Sequence, residues 1–306
     1  MGDGLTGQNS ATNTSTLIKK MYMILSSINN TFESYQQLIT FYQSNKDNLF
    51  SDIHLGLQGF FAANMSAALG ALLDLFAADL NEIHFDSISP QIEQILLKND
   101  FLTYYGRQRL HDSNHTTIKF QKLKPTDGKY FKSYVIEELI GRTELPHMSA
   151  GVKEKITEAI YEIFVNAQIH SETKFIYTCG QFFPNKNKIE FTIADTGIGF
   201  KERINKRFGS NLNAVQAICW AVEDKTTTKQ EISGGIGLAL LKEFVGKNKG
   251  KMQIISDEGF YQFDTSGVIA RPFVGKFPGT VVNLQFCTDD HSNYALKSEI
   301  NINDIF

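Results

Sequence analysis

The sequence predicts an α/β (α+β) chain of two domains. Three observations predict it. Short apolar runs alternate with longer helical patterns, which argues for sheets with covering helices. A Pro-containing link, Gly141 to Gly151, separates two such series. The 306 residues are enough for two ordinary domains.

Residues 1–16 are rich in Ser, Thr, Asn and Gly and are expected to be flexible. Residues 17–45 read as a helix, with Ile18, Met21, Met23, Ile24, Ile28, Phe32, Tyr35, Leu38, Ile39 and Tyr42 on an apolar face. A βαβα order follows. Ile53 to Phe61 reads as a strand, Ala62 to Leu80 as an Ala-rich helix and Asn81 to Phe85 as a short strand. Pro90 to Lys98 reads as a helix with Ser89 as N-cap. Thr116 to Leu123 alternates like a strand, and Tyr130 to Leu139 reads as a helix. These place an N-terminal domain at 17–145.

The second domain, 146–290, reads as a helix (152–169), two strands (173–183 and 187–194) and a lid (200–233), then a helix (236–247) and two strands (251–256 and 279–287). Asn185 to Lys188 supplies a hairpin turn. Residues 291–306 read as a tail.

Composition excludes some functions. A formal net charge of −3 lacks the basic excess of a dedicated nucleic-acid binder. Cys179, Cys219 and Cys287 are far apart and form no CxxC pair, so zinc-site spacing is absent. Three reduced thiols suit a cytoplasmic protein. The N-terminus has no apolar core of a signal peptide, and no run approaches 18 apolar residues.

Four patterns carry chemistry. Glu158, Glu162, Asn166 and His170 recur every four residues on the helix 152–169 and its end, and so share one stripe. An amide oxygen there is a ligand that Mg²⁺ accepts, and a carboxylate one turn away can activate water. Such a stripe is also what a solvated helix face looks like. Asp195-Thr196-Gly197-Ile198-Gly199 follows a strand. Its carboxylate can accept from an exocyclic amine, and its glycines let backbone approach a flat ring. Equally, Asp and Gly after a strand make an ordinary turn. Ser233 to Leu241 is a Gly-rich loop running into an apolar helix, a place for phosphate at a helix N-terminus. It is not a Walker loop, since no GK[ST] follows. Pro278-Gly279-Thr280 opens the last strand.

In this order the patterns resemble the GHKL superfamily: gyrase-type and mismatch-repair ATPases, heat-shock chaperone ATPases, sensor histidine kinases and anti-sigma serine kinases. Glu162 to Asn166 matches ExxxN, Asp195 to Gly199 matches DxGxG, Gly235-Ile236-Gly237-Leu238 matches GxGL, and Gly279-Thr280 matches the GT before the last strand. The resemblance covers about residues 150–288. It implies a Bergerat-type sandwich, with a mixed, mostly antiparallel sheet and helices on one face. It implies ATP and Mg²⁺ as ligands, with Asn166 as the metal ligand and Glu162 as the catalytic base. Asp195, Gly197 and Gly199 would form the adenine pocket with Thr280. Gly235, Ile236, Gly237 and Leu238 would hold phosphate. A lysine of Lys225 to Lys229 would reach the γ-phosphate, or the stretch is a solvated loop. The N-terminal half is loosely similar to a STAS-type domain, and the run from Glu162 to His170 is similar to the anti-sigma serine kinases. His147 lies in the linker and reads as a surface residue. The implied function is an ATPase switch acting on a protein partner or a second copy. The alternatives are a protein serine kinase and a non-hydrolysing ATP/ADP sensor.

Overall fold

The computed structural model describes residues 20–170, 172–223 and 236–299. The first unit is a parallel three-stranded sheet. Strand β1 (Lys20–Ile28) leads to helix α1 (Phe32–Asn45), β2 (Asp52–Phe61), α2 (Ser66–Ala78), β3 (Glu82–Ile88) and α3 (Pro90–Lys98). The strand order is β1-β2-β3, with both pairs parallel. The expected helix over 17–45 is therefore corrected, because its first part is a strand. Met21, Met23 and Leu25 lean inward while Tyr22 and Ile24 face out, a period of two rather than 3.6. Thr31 then starts α1, its hydroxyl accepting from the Ser34 N–H.

The second unit starts earlier than the linker suggested. β4 (Thr117–Leu123) pairs antiparallel with β6 (Ile176–Phe183), not with the first sheet. Between them run α4 (Gly128–Tyr134), a π-turn over Val135–Ile140, β5 (His147–Met148) and α5 (Ala150–His170). β7 (Lys188–Asp195), α6 (Gly199–Phe208), α7 (Ala214–Val222) and α8 (Ile236–Lys247) follow. β8 (Lys251–Asp264) and β9 (Gly267–Cys287) close the sheet, and β10 (Asn293–Tyr294) lies beyond it. The sheet order is β4-β6-β7-β9-β8, with every pair antiparallel. A boundary at 145/146 thus cuts through one sheet-and-helix unit. β8 and β9 are far longer than the expected 251–256 and 279–287, because they run on as a hairpin arm to Gly267.

Helices cover both faces of this sheet, where one covered face was expected. On one face α5, α8 and the Phe131 end of α4 enclose Ile160, Phe164, Phe191, Leu241, Val245 and Leu284. On the other, α1 and α2 of the first unit pack through Leu38, Leu69 and Leu72 against Tyr177, Cys179, Ala194 and Val281. Burial of these apolar side chains joins the two units into one core, each such side chain contributing about 1.5–3 kcal/mol.

A buried polar network crosses the same contact. The Asn64 amide donates to Asn30 Oδ1, Thr192 Oγ1 and Asn283 Oδ1, at 2.8, 2.9 and 3.2 Å. Asn283 donates to Glu190, whose other partner is Lys188 at 2.6 Å. A buried carboxylate is tolerated there because both oxygens are paired.

Residues 291–299 are not a free tail. β10 pairs with β5. Glu299 accepts from Ser149 Oγ at 2.5 Å and from the Gly151 N–H at 3.0 Å, so it caps α5 from a distance of 148 residues. Residues 1–16 lie outside the described residues. No helix among the described residues is long and apolar enough to cross a membrane.

Candidate nucleotide site

The site lies over the face of the five-stranded sheet that α5 and α8 cover, where α5, α6 and α8 meet the ends of β7 and β9. α5 is helical because apolar Ile156, Ile160, Ile163, Phe164 and Ala167 recur at helical spacing and are buried. That burial fixes where the polar stripe points. Glu162 and Asn166 come to the cleft. Glu158 does not: it stays exposed and pairs with Lys155 at 3.3 Å. The side chain of His170 lies outside the described residues.

Antiparallel pairing of β7 with β9 puts Asp195 directly opposite Thr280. Two motifs 85 residues apart in sequence thus share one point of the sheet, and register alone brings them together. The approach is close. A Cβ on Gly279 would stand 2.1 Å from the Asp195 carbonyl oxygen, and Gly279 has φ +127°. Only glycine fits. Thr280 Oγ1 lies 3.1 Å from Ser256 Oγ, which accepts from the Phe200 N–H at 2.9 Å.

Asp195 is 7% exposed. Its Oδ1 accepts from the Gly197 N–H at 2.8 Å, closing the turn. Burial pushes its carboxyl up to about 7, against the pull of the Gly197 N–H and of Arg203. Gly199 turns the chain with φ +72°, and a Cβ there would meet Asp257 Oδ2 at 2.5 Å and Ser256 Oγ at 2.9 Å.

The cleft is lined by Ile163, Asn166 and Ala167 of α5, by Asp195, by Gly199, Phe200 and Arg203 of α6, by Leu238 of α8, and by Thr280 and Val282. The cleft is narrow and partly open to solvent. Its walls are apolar with a few convergent polar groups.

Glu162 stands beside this lining, one helical turn before Asn166. Its Oε2 accepts from the Gly237 N–H at 2.8 Å, at the start of α8. Its Oε1 is buried and has no hydrogen-bond partner among the described residues. Burial raises its pKa, with the Gly237 N–H and Arg203 pulling the other way. Arg203 donates to Asn166 Oδ1 at 3.0 Å. A guanidinium therefore sits beside the Asn166 oxygen, with Asp195 and Glu162 close enough to act on its charge.

Of the expected site residues, Glu162, Asn166, Asp195, Gly197, Gly199, Gly237, Leu238 and Thr280 fall in or around this cleft. Ile236 opens α8, with only its backbone described. Gly235 and the lysines of 225–229 lie outside the described residues. Sequence reasoning missed Arg203, Ser256 and Asp257. Burial, with Glu258 adding to it, pushes the Asp257 carboxyl up to about 6, and its Oδ2 is another buried oxygen without a partner among the described residues. No motif signals it: Asp257 lies inside β8, at a break in its register with β9 where its φ is +52°. Of the three cysteines, only Cys179 is fully buried; its thiol donates to the Ala63 and Asn64 carbonyls at 3.2 Å, and all three are free. His147 is exposed, as expected. No family model matches the chain, and no curated protein matches it.

Proposed function

We propose that this cleft binds Mg-ATP in a Bergerat-type unit and that the chain hydrolyses it. One observation carries the reading. A buried carboxylate, Asp195, stands cross-strand from Thr280 at the base of an apolar cleft whose rim carries Glu162 and Asn166 on a single helix face. An adenine ring fits such walls, and its exocyclic amine donates to Asp195 while the Thr280 hydroxyl supports the pair.

The residues suit a cation. Asn166 Oδ1 already holds a positive group, Arg203, in a place influenced by two carboxylates. With the nucleotide bound, Asn166 would hold Mg²⁺, which neutralises phosphate charge as it develops. Glu162 takes the proton of the attacking water. Its Oε1, without a partner among the described residues, is the atom that accepts it, and burial raises its basicity. The N–H groups at the start of α8 face the phosphates. The hydrolysis step breaks the bond between the γ-phosphorus and the bridging oxygen, and yields ADP and inorganic phosphate.

Glu162→Ala should retain ATP binding by calorimetry and lose phosphate release. Unchanged turnover in that variant overturns the role of Glu162. Labelled γ-phosphate appearing on a protein instead of in solution would make the chain a serine kinase. Tight binding without any turnover would make it a nucleotide sensor.

A further inference from the structure

The outward face of the first sheet carries a second cluster of chemistry-bearing side chains. Asp52 and His54 lie on β2, with Glu82 and His84 in register opposite them on β3. Alternation sends Ile53, Leu55 and Leu57 into the core and leaves these polar residues on the other face. Parallel sheets are ordinarily covered on both faces. Here Tyr22 and Ile24, on the same face of β1, are 70% and 56% exposed.

The imidazoles are ordered as a stack. The Tyr22 ring lies 4.5 Å from His54, and His54 lies 4.8 Å from His84. Asp86 holds His54 Nδ1 through both its oxygens, at 3.0 and 2.8 Å. A carboxylate offers only acceptors, so Nδ1 donates, and in the neutral imidazole Nε2 keeps its lone pair. That Nε2 is buried and has no partner among the described residues. On the other ring, His84 Nε2 stands 3.5 Å from Asp52 Oδ1 and 3.7 Å from Glu82 Oε2. One ligand atom each from Asp52, His54 and His84 lies within 4.8 Å of the other two.

We propose that Asp52, His54 and His84 form a binding site for a divalent transition metal of the Zn²⁺ class, with Asp86 as the outer carboxylate that orients His54. Two imidazoles and a carboxylate are the donor set such ions take, whereas Mg²⁺ and Ca²⁺ prefer oxygen alone. Tetrahedral bonds of ~2.0–2.2 Å put ligand atoms about 3.4 Å apart. The Asp52–His84 distance is already there, and binding turns the two imidazoles out of their near-parallel stack so that their in-plane lone pairs converge on the ion. The Asp86–His54 pair reproduces the carboxylate–histidine relay that sets tautomer and ring orientation at metal centres. Three protein ligands leave a fourth position for water, and Glu82 adds negative charge beside it. The site faces away from the nucleotide cleft and does not depend on the reading of that cleft.

The test is metal binding by the full chain after chelator treatment. Zn²⁺ titration against a chromophoric competitor should give one site per chain. His84→Ala and Asp52→Asn should abolish it, and Asp86→Asn should weaken it about 10–100-fold. His84→Gln serves as a second variant should alanine unfold the strand, and circular dichroism without metal checks each fold. Co²⁺ in the same site should give visible bands of a nitrogen- and oxygen-ligated tetrahedral ion. Asn166→Ala should leave Zn²⁺ binding unchanged. No binding at micromolar Zn²⁺, undiminished binding in His84→Ala and Asp52→Asn, or thiolate charge-transfer bands pointing to the cysteines would each overturn the proposal.

Discussion

Glu162 Oε2 accepts the Gly237 N–H at 2.8 Å, so the candidate base occupies the helix N-terminus that would face phosphate. In the absence of ligand the carboxylate is the anion at that terminus. A bound phosphate group competes with it for the same donor and is repelled by its charge. Glu162→Gln keeps an acceptor of the same shape and removes the charge. The expected outcome is nucleotide binding tightened by about 3–10-fold, or on the order of 1 kcal/mol, with turnover lost. Titration with a fluorescent ATP analogue reads the first effect and phosphate release the second. Weaker binding in Glu162→Gln would mean that the carboxylate supports the ligand instead of competing with it.

Asp195 gives a pH dependence whose sign follows from burial. Its folded-state pKa of about 7 lies above the ordinary carboxylate value of 3.8. Between those values the folded protein holds a proton that the unfolded chain has released. Stability therefore falls as pH rises from about 4 to 7 and is level above that, as far as this group decides. Asp195→Asn retains the acceptor for the Gly197 N–H and removes the buried charge. Its stability relative to wild type should rise between pH 5 and pH 8, by up to a few kcal/mol. Urea midpoints at the two pH values measure this. Asp257, also raised, is present in both proteins and cancels in the difference. The same variant should bind adenine nucleotides about 10–100-fold more weakly, since an amide meets the exocyclic amine less well than a carboxylate. An advantage that does not grow with pH would place the charge elsewhere.

Much of this site was legible because its parts are local. Glu162 and Asn166 sit four residues apart on a helix, and Asp195 to Gly199 is a strand followed by a turn. What stayed hidden was pairing. No local pattern says that Asp195 faces Thr280, that Thr117–Leu123 joins β6 rather than β2, or that Arg203 reaches Asn166. Those facts depend on register and on which helix covers which face. The strand Lys20–Ile28 was misread because Met21, Ile24 and Ile28 also fit a helical period, and seven to nine residues cannot separate the two. The hairpin arm beyond Ser256 was missed for another reason. Asp257, Gly259, Gly267, Pro272, Gly275 and Pro278 interrupt its alternation, and each reads as a breaker when taken alone.

Gly279 tests whether the register is as tight as it stands. Its φ is +127°, and an added Cβ would lie 2.1 Å from the Asp195 carbonyl oxygen and 2.7 Å from Thr196 Cα. Both neighbours are backbone, so neither yields by rotating a side chain. Gly279→Ala should cost about 3 kcal/mol or more. A drop in Tm on the order of 10 °C follows for a chain of this size. Nucleotide affinity should fall with it, because Asp195 moves. A variant with wild-type Tm would mean that β7 and β9 separate there.

Asn64 tests the joint between the two units. It is fully buried, and its amide is the shared donor for Asn30, Thr192 and Asn283. Asn64→Ala removes this donor and the Oδ1 that accepts from the Asn30 amide; Asn283 Oδ1 keeps the Thr192 hydroxyl, while Asn30 and Thr192 lose their bonds to Asn64. Each net loss is modest, but an unsatisfied buried group costs about 1–3 kcal/mol, so a total near 3 kcal/mol is expected. The cleft lies on the opposite face of the sheet. Asn64→Ala should therefore lower the midpoint of chemical unfolding while leaving ATP affinity at low temperature within about twofold of wild type. Asn64→Asp tests the cause separately. It restores the shape but brings no donor and adds a charge beside Glu190's network, so it should be the less stable of the two. If Asn64→Asp were as stable as wild type, the network would not be what holds the first unit against the sheet.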